Sequence, residues 1–105
     1  MESIRQLDYE VIGSSYIHKS SIDQIGEDLH LGAFTVIEED VIIGEKCKIG
    51  NSCTINKKAY IGNNVIIQDG VVIGESAVVS NDNEVIANTV VPVNAILKEH
   101  TCLIK

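Results

Sequence analysis

The chain has no tryptophan, one phenylalanine, one proline and one methionine among its 105 residues. Aromatic residues make up 4% while 45% of residues are hydrophobic. The interior is therefore built from Ile and Val, and a cavity walled by aromatic rings is excluded. Basic residues are scarce: 8 Lys and Arg face 15 Asp and Glu, for a net charge of −7. Nucleic acid and anionic membrane are excluded as partners on this balance, because both require a basic surface. No apolar run approaches the ~18 residues that a membrane-spanning helix needs, and the opening Met1-Glu2-Ser3-Ile4-Arg5-Gln6 lacks the basic-then-apolar order of a secretory signal. Three cysteines, with no C-x-x-C spacing, make neither a disulfide framework nor a thiolate metal knuckle. A reduced, cytoplasmic protein is the expectation.

What is present is a repeat. Fourteen aliphatic residues recur at a spacing of six without a break: Ile25, Leu31, Ile37, Ile43, Ile49, Ile55, Ile61, Ile67, Ile73, Val79, Val85, Val91, Leu97 and Leu103. A helix of 3.6 residues per turn cannot hold such positions on one face. A strict short period signals a solenoid. The next position is Gly at Gly26, Gly32, Gly44, Gly50, Gly62 and Gly74, and polar turn formers follow, as in Asn51-Ser52 and Asn63-Asn64. The fourth position beyond the aliphatic residue is small or apolar, as in Thr35, Val41, Cys47, Cys53, Ala59 and Ala77. Each hexad reads as a short strand whose central residue points inward, then a polar corner with a small residue packed inside it. At 105 residues the chain forms one domain. Residues 1–16 stand outside the register and are expected to cap the N-terminal end, with Gln6–Val11 alternating like a strand. The solenoid is expected over 17–105. Ile17 to Ile25 is a spacing of eight, so two residues are extra, or four missing, between the first two hexads.

The pattern aliphatic–Gly–x–x–small–x resembles the hexapeptide-repeat (isoleucine-patch) acyltransferase superfamily over residues 17–105. Ile17-His18-Lys19-Ser20-Ser21-Ile22 resembles the usual opening of such domains. Leu31-Gly32-Ala33-Phe34-Thr35-Val36-Ile37 resembles a segment common in lipid A and nucleotide-sugar acyltransferases. The resemblance implies an all-β fold, a single-stranded left-handed parallel β-helix of three hexads per coil. It implies a cyclic trimer, and acetyl-CoA as a co-substrate rather than a permanently bound cofactor. It also implies a histidine general base in the cleft between subunits. A fold of this kind does not by itself decide an activity.

Three hexads per coil sort the outward residues into three faces. One carries Gln24, Ile42, Tyr60, Val78 and Ile96; a second carries Val36, Thr54, Val72 and Val90; the third carries His30, Lys48, Ile66, Glu84 and Cys102. The first two are apolar stripes and are expected to form a homotrimer interface through Val36, Ile42, Thr54, Tyr60, Val72, Val78, Val90 and Ile96. The corner between them stacks Glu39-Asp40, Lys57-Lys58, Glu75-Ser76 and Val93-Asn94, with charge signs that alternate by coil. Solenoid ends need a polar cap, so the apolar finish at Leu103-Ile104-Lys105 is expected to allow end-to-end association there.

Three histidines are the candidate bases. His18 belongs to the opening motif, where the resemblance implies a structural role; His30 points outward on the mixed face; His100 lies in the last corner. His30 is the expected catalytic residue. Lys98 and Lys105 are candidate cations for a CoA pyrophosphate. No metal site is expected, because the histidine spacing of a γ-class carbonic anhydrase is missing. Cys47 and Cys53 read as core residues and Cys102 as an outward thiol. The functional expectation is transfer of an acetyl group to a sugar or nucleotide sugar. The alternative is a non-catalytic β-helical module for assembly or binding, favoured by the peripheral histidines and the absence of any loop interrupting the repeat.

Overall fold

The computed structural model of the chain describes residues 8–99 and the backbone of 102–103. A hairpin opens it: β1 (Tyr9–Ile12) and β2 (Ser15–His18), followed by a single helical turn, α1 (Lys19–Ile22). Thirteen two-residue strands follow. They are β3 (His30–Leu31), β4 (Val36–Ile37), β5 (Ile42–Ile43), β6 (Lys48–Ile49), β7 (Thr54–Ile55), β8 (Tyr60–Ile61), β9 (Ile66–Ile67), β10 (Val72–Ile73), β11 (Val78–Val79), β12 (Glu84–Val85), β13 (Val90–Val91), β14 (Ile96–Leu97) and β15 (Cys102–Leu103). Every third strand stacks on its predecessor, giving sheets ordered β1-β2-β4-β7-β10-β13, β14-β11-β8-β5 and β15-β12-β9-β6-β3. All pairings are parallel except β1 with β2. This is the expected left-handed β-helix. No helix among the described residues is long and apolar enough to cross a membrane.

The register follows from the repeat. Ile37 pairs with Ile55 and Ile55 with Ile73, so residues eighteen apart form vertical columns. The inward columns are buried along the middle of the solenoid, from Ile37, Ile55, Ile73 and Val91 at 0% exposure to Ile49 at 3%, while Ile25, Leu31 and Leu97 towards its ends are half-buried. Val41, Cys47, Cys53, Ala59, Val65, Val71 and Ala77 fill the inside of the corners. The sixfold spacing puts an aliphatic residue in every layer of a narrow core, where branched side chains pack without gaps.

The first coil settles the irregular spacing at its start. Ile17 pairs with Ile37, twenty residues on rather than eighteen, so two residues are extra and none is missing. They are absorbed in α1, whose side chains tie it to the coil above. The Ser21 hydroxyl donates to the Glu38 carbonyl at 2.6 Å and accepts from the Val41 amide at 2.9 Å. Strand β1 covers Tyr9–Ile12 and lies at the edge of its sheet. The strand expected over Gln6–Val11 thus extends one residue further, while Gln6 and Leu7 lie outside the described residues. Ser15 and Tyr16, placed by expectation in the cap segment, belong to β2; Tyr16 pairs with Val36 of the first coil.

The charged corner between the two apolar faces stacks through its backbone. The Lys58 amide donates to Glu39 O at 3.0 Å and the Ser76 amide to Lys57 O at 3.1 Å. Its side chains stand in solvent, and no ion pair joins them among the described residues.

Candidate functional site: the His30–Lys48 groove

The third sheet presents a vertical row of outward side chains. His30 stands in register with Lys48, Lys48 with Ile66, and Ile66 with Glu84. All four are exposed. Parallel strands lie about 4.8 Å apart, so the imidazole and the ammonium group are neighbours on one face. An open groove of about 500 Å³ lies here, lined by His30, Leu31, Gly32, Lys48, Ile49, Gly50 and Ile67. Gly32 and Gly50 make the notch. A Cβ on Gly32 would stand 2.6 Å from Gly50 C and 2.5 Å from Asn51 Oδ1.

The groove can do two things chemically. An imidazole nitrogen lone pair can accept a proton from an alcohol or amine. The Lys48 ammonium one coil above attracts an anion. The far end of the row differs in sign: the Gln68 side-chain amide donates to Glu84 Oε2 at 2.7 Å, holding that carboxylate in place.

His18 is occupied otherwise. Its Nδ1 accepts from the Ser20 amide at 3.1 Å and lies 2.9 Å from Ser20 Oγ. Ser20 Oγ in turn accepts from the Asp40 amide. The His18 ring packs edge-on to Tyr9 at 5.0 Å, and Tyr9 also reaches Glu38 through its hydroxyl. These contacts pin the hairpin to the first coil. His100 and Lys105 lie outside the described residues, as do the side chain of Cys102 and the tail Ile104-Lys105 on which end-to-end association was expected. Lys98 is exposed, and its carbonyl accepts from Asn83 Nδ2 at 2.9 Å.

Cys47 and Cys53 are buried, free thiols that donate to the carbonyls of Gly62 and Gln68, each at 3.0 Å. Burial pushes both thiols up from their ordinary value, against a smaller opposing effect of nearby backbone hydrogen bonds. A neutral buried thiol is a poor nucleophile. Among the described residues no group of three His, Cys, Asp or Glu side chains could hold a metal ion.

The eight expected interface residues fall on two adjacent faces. Val36, Thr54, Val72 and Val90 line one; Ile42, Tyr60, Val78 and Ile96 line the other. Val90 and Ile96 are 65% and 68% exposed, and Ile42 and Tyr60 43% each. His30 lies on neither face. Sequence reasoning passed over Phe34, at the corner beside the groove. Its signal was a bulky aromatic residue at a corner position that elsewhere among the described residues holds Asp, Lys, Ser, Asn or Gly.

Comparison with the curated proteins gives no significant match. Solved structures do match. One is a histidine-to-asparagine variant of perosamine N-acetyltransferase from Caulobacter crescentus in complex with CoA and GDP-perosamine. It is 20% identical with a TM-score of 0.49, and the match covers 87% of this chain and 48% of that one. Another is WeeI from Acinetobacter baumannii AYE, 17% identical with a TM-score of 0.58, covering 84% of this chain and 51% of that one. The chain thus spans about half the length of these solved proteins. At such identity the likeness to WeeI speaks for the fold alone. The family described as "Bacterial transferase hexapeptide (six repeats)" matches residues 24–57 and 46–81, more than half of the chain. With its unbroken hexads, glycine-following aliphatic positions and three-sided coil, the chain belongs to the bacterial transferase hexapeptide family.

Proposed function

We propose that this chain serves an acyltransferase that moves an acetyl group from acetyl-CoA to a hydroxyl or amine of a sugar or nucleotide sugar. The observation that carries the reading is His30 in a glycine-floored groove with a lysine beside it. In the proposed step the imidazole takes the proton from the acceptor O–H or N–H. The freed lone pair attacks the thioester carbonyl, a C–O or C–N bond forms, and the C–S bond breaks. The CoA thiolate leaves and takes up the proton that His30 held. Acetyl-CoA is a co-substrate here. A homotrimer formed through the two apolar faces and a cytoplasmic location complete the proposal; the location is supported by the two free buried thiols.

An acetyl-CoA assay with sugar and sugar-nucleotide acceptors tests this. His30→Ala is expected to lower kcat/KM about 100- to 10,000-fold, with an unchanged melting temperature because His30 is exposed. One observation favours the non-catalytic alternative: the His30 ring has no hydrogen-bond partner among the described residues to orient it. No transfer to any acceptor, and no heat on titration with CoA, would leave that alternative standing.

A further inference from the structure

Eleven described non-glycine residues have positive φ, between 56° and 65°, and ten of them are Asp, Lys, Ser or Asn. The exception is Phe34, at φ 58°. The left-handed region costs an L-residue roughly 1–2 kcal/mol; the short Asp, Asn and Ser side chains at eight of these corners can offset it by local hydrogen bonding, Lys46 and Lys58 cannot but carry a solvated charge, and Phe34 alone is apolar. Phe34 has no such means. Nor does its ring gain from burial, since it is 70% exposed, the most exposed large hydrophobic residue among those described. An aromatic ring held strained and in water is a feature of binding surfaces rather than of cores.

Its surroundings say what it could hold. The groove lining ends at Gly32, two residues before Phe34, so the two Cα atoms are at most ~7 Å apart. The same corner one coil up holds Ser52, whose amide donates to Ala33 O, and one coil further Gly70. Small residues above the ring leave space for a flat ligand. The groove beyond offers the Lys48 cation and the His30 imidazole, with Glu84 two coils away from Lys48 and tied to Gln68. A planar ring joined to an anion matches this order.

We infer that Phe34 is the stacking platform for the heterocyclic base of a nucleotide whose phosphates lie toward Lys48 in the groove. The inference rests on the reading of that groove as the transfer site. The nucleotide portion of a sugar nucleotide and that of CoA share the chemistry, and the test separates them.

Calorimetry with GDP, UDP and CoA is compared with inorganic pyrophosphate and pantetheine, which lack a base. The full chain is expected to bind at least one nucleotide more tightly than its base-free counterpart. Phe34→Ala should weaken that nucleotide about ten- to a hundredfold and leave pyrophosphate and pantetheine unchanged. Lys48→Ala should weaken nucleotide and pyrophosphate together. GDP or UDP as the affected ligand assigns the platform to the acceptor, CoA to the donor. Phe34→Asn should lose the same affinity while raising the melting temperature, because Asn tolerates positive φ. Nucleotide affinity unmoved by Phe34→Ala overturns the inference, as does a lower melting temperature for Phe34→Asn or an altered sedimentation coefficient for either variant. If His30-dependent transfer persists in that case, the platform alone is wrong. If the chain binds none of CoA, GDP and UDP, the transfer site falls with it.

Discussion

Glycine follows the aliphatic residue in the hexads for a steric reason rather than a conformational one. The turn conformation falls two positions later, at residues such as Ser52 and Asn64. The glycine lies beneath a side chain of the next coil: Asn63 Oδ1 accepts from the Glu45 amide at 2.8 Å and sits 2.2 Å from where a Cβ on Gly44 would be. Asn51 above Ala33, Asp69 above Asn51 and Asn81 above Asn63 repeat the bond. Gly44→Ala must therefore displace both Asn63 and the Gly62 backbone, 2.7 Å away. A loss of about 1–3 kcal/mol is expected, read by urea denaturation. The buried thiols give a second test at this scale. With pKa values raised on folding, Cys47 and Cys53 are held protonated by the native state. Their contribution is complete below the unfolded thiol value and lost as pH rises through the folded one. Stability should be level around neutrality and decline at alkaline pH above 9. In a Cys102→Ser background, a thiol reagent at pH 8 should react with the two only as fast as the chain unfolds.

Among the elements, α1 and the hairpin differ most from the rest of the chain. The solenoid strands hold one another through repeated backbone bonds, but α1 is attached through serine hydroxyls. Ser21 is fully buried and bridges Glu38 O and the Val41 amide. Ser15 does the same between Gly32 O and the Thr35 amide, and Thr35 between Gly50 O and the Cys53 amide. Ser21→Ala strands a buried donor and acceptor and should cost about 1–3 kcal/mol. If chemical denaturation shows no change, the hydroxyl bridge contributes nothing to the first coil. The eight-residue gap between Ile17 and Ile25 was legible as an irregularity. Whether it was an insertion or a deletion was not, because a short helix and a missing hexad part disturb the period alike. The pairing of β1 was beyond reach for another reason: an antiparallel edge strand shares no periodicity with the coils it joins.

At the scale of the whole molecule, the described chain is a rod with extents of 39 × 24 × 23 Å. Two of its long faces are apolar and the third carries the groove. The proposed trimer built on the apolar faces would leave the His30 face outside the contact. Tyr60→Lys and Ile96→Lys place a charge at the middle and the far end of one stripe. Each is expected to shift the sedimentation coefficient from trimer to monomer while leaving the circular dichroism spectrum intact. A wild-type chain that sediments as a monomer would sink the interface.

The period of six determined the columns. Once every sixth residue is aliphatic and a coil takes three hexads, the inward and outward assignment of each strand residue follows, because neighbouring strand residues point to opposite sides. Hence Val36, Ile42 and His30 stand on the faces expected of them. Tertiary structure alone decided what depends on contacts between coils. It placed the Asn side chains over the glycines, committed His18 to Ser20 and Tyr9, absorbed two residues in α1, and left Phe34 strained in solvent beside the groove. These outcomes turn on which atoms meet once the chain is folded, and a repeat records the spacing of its coils without recording the chemistry of such meetings.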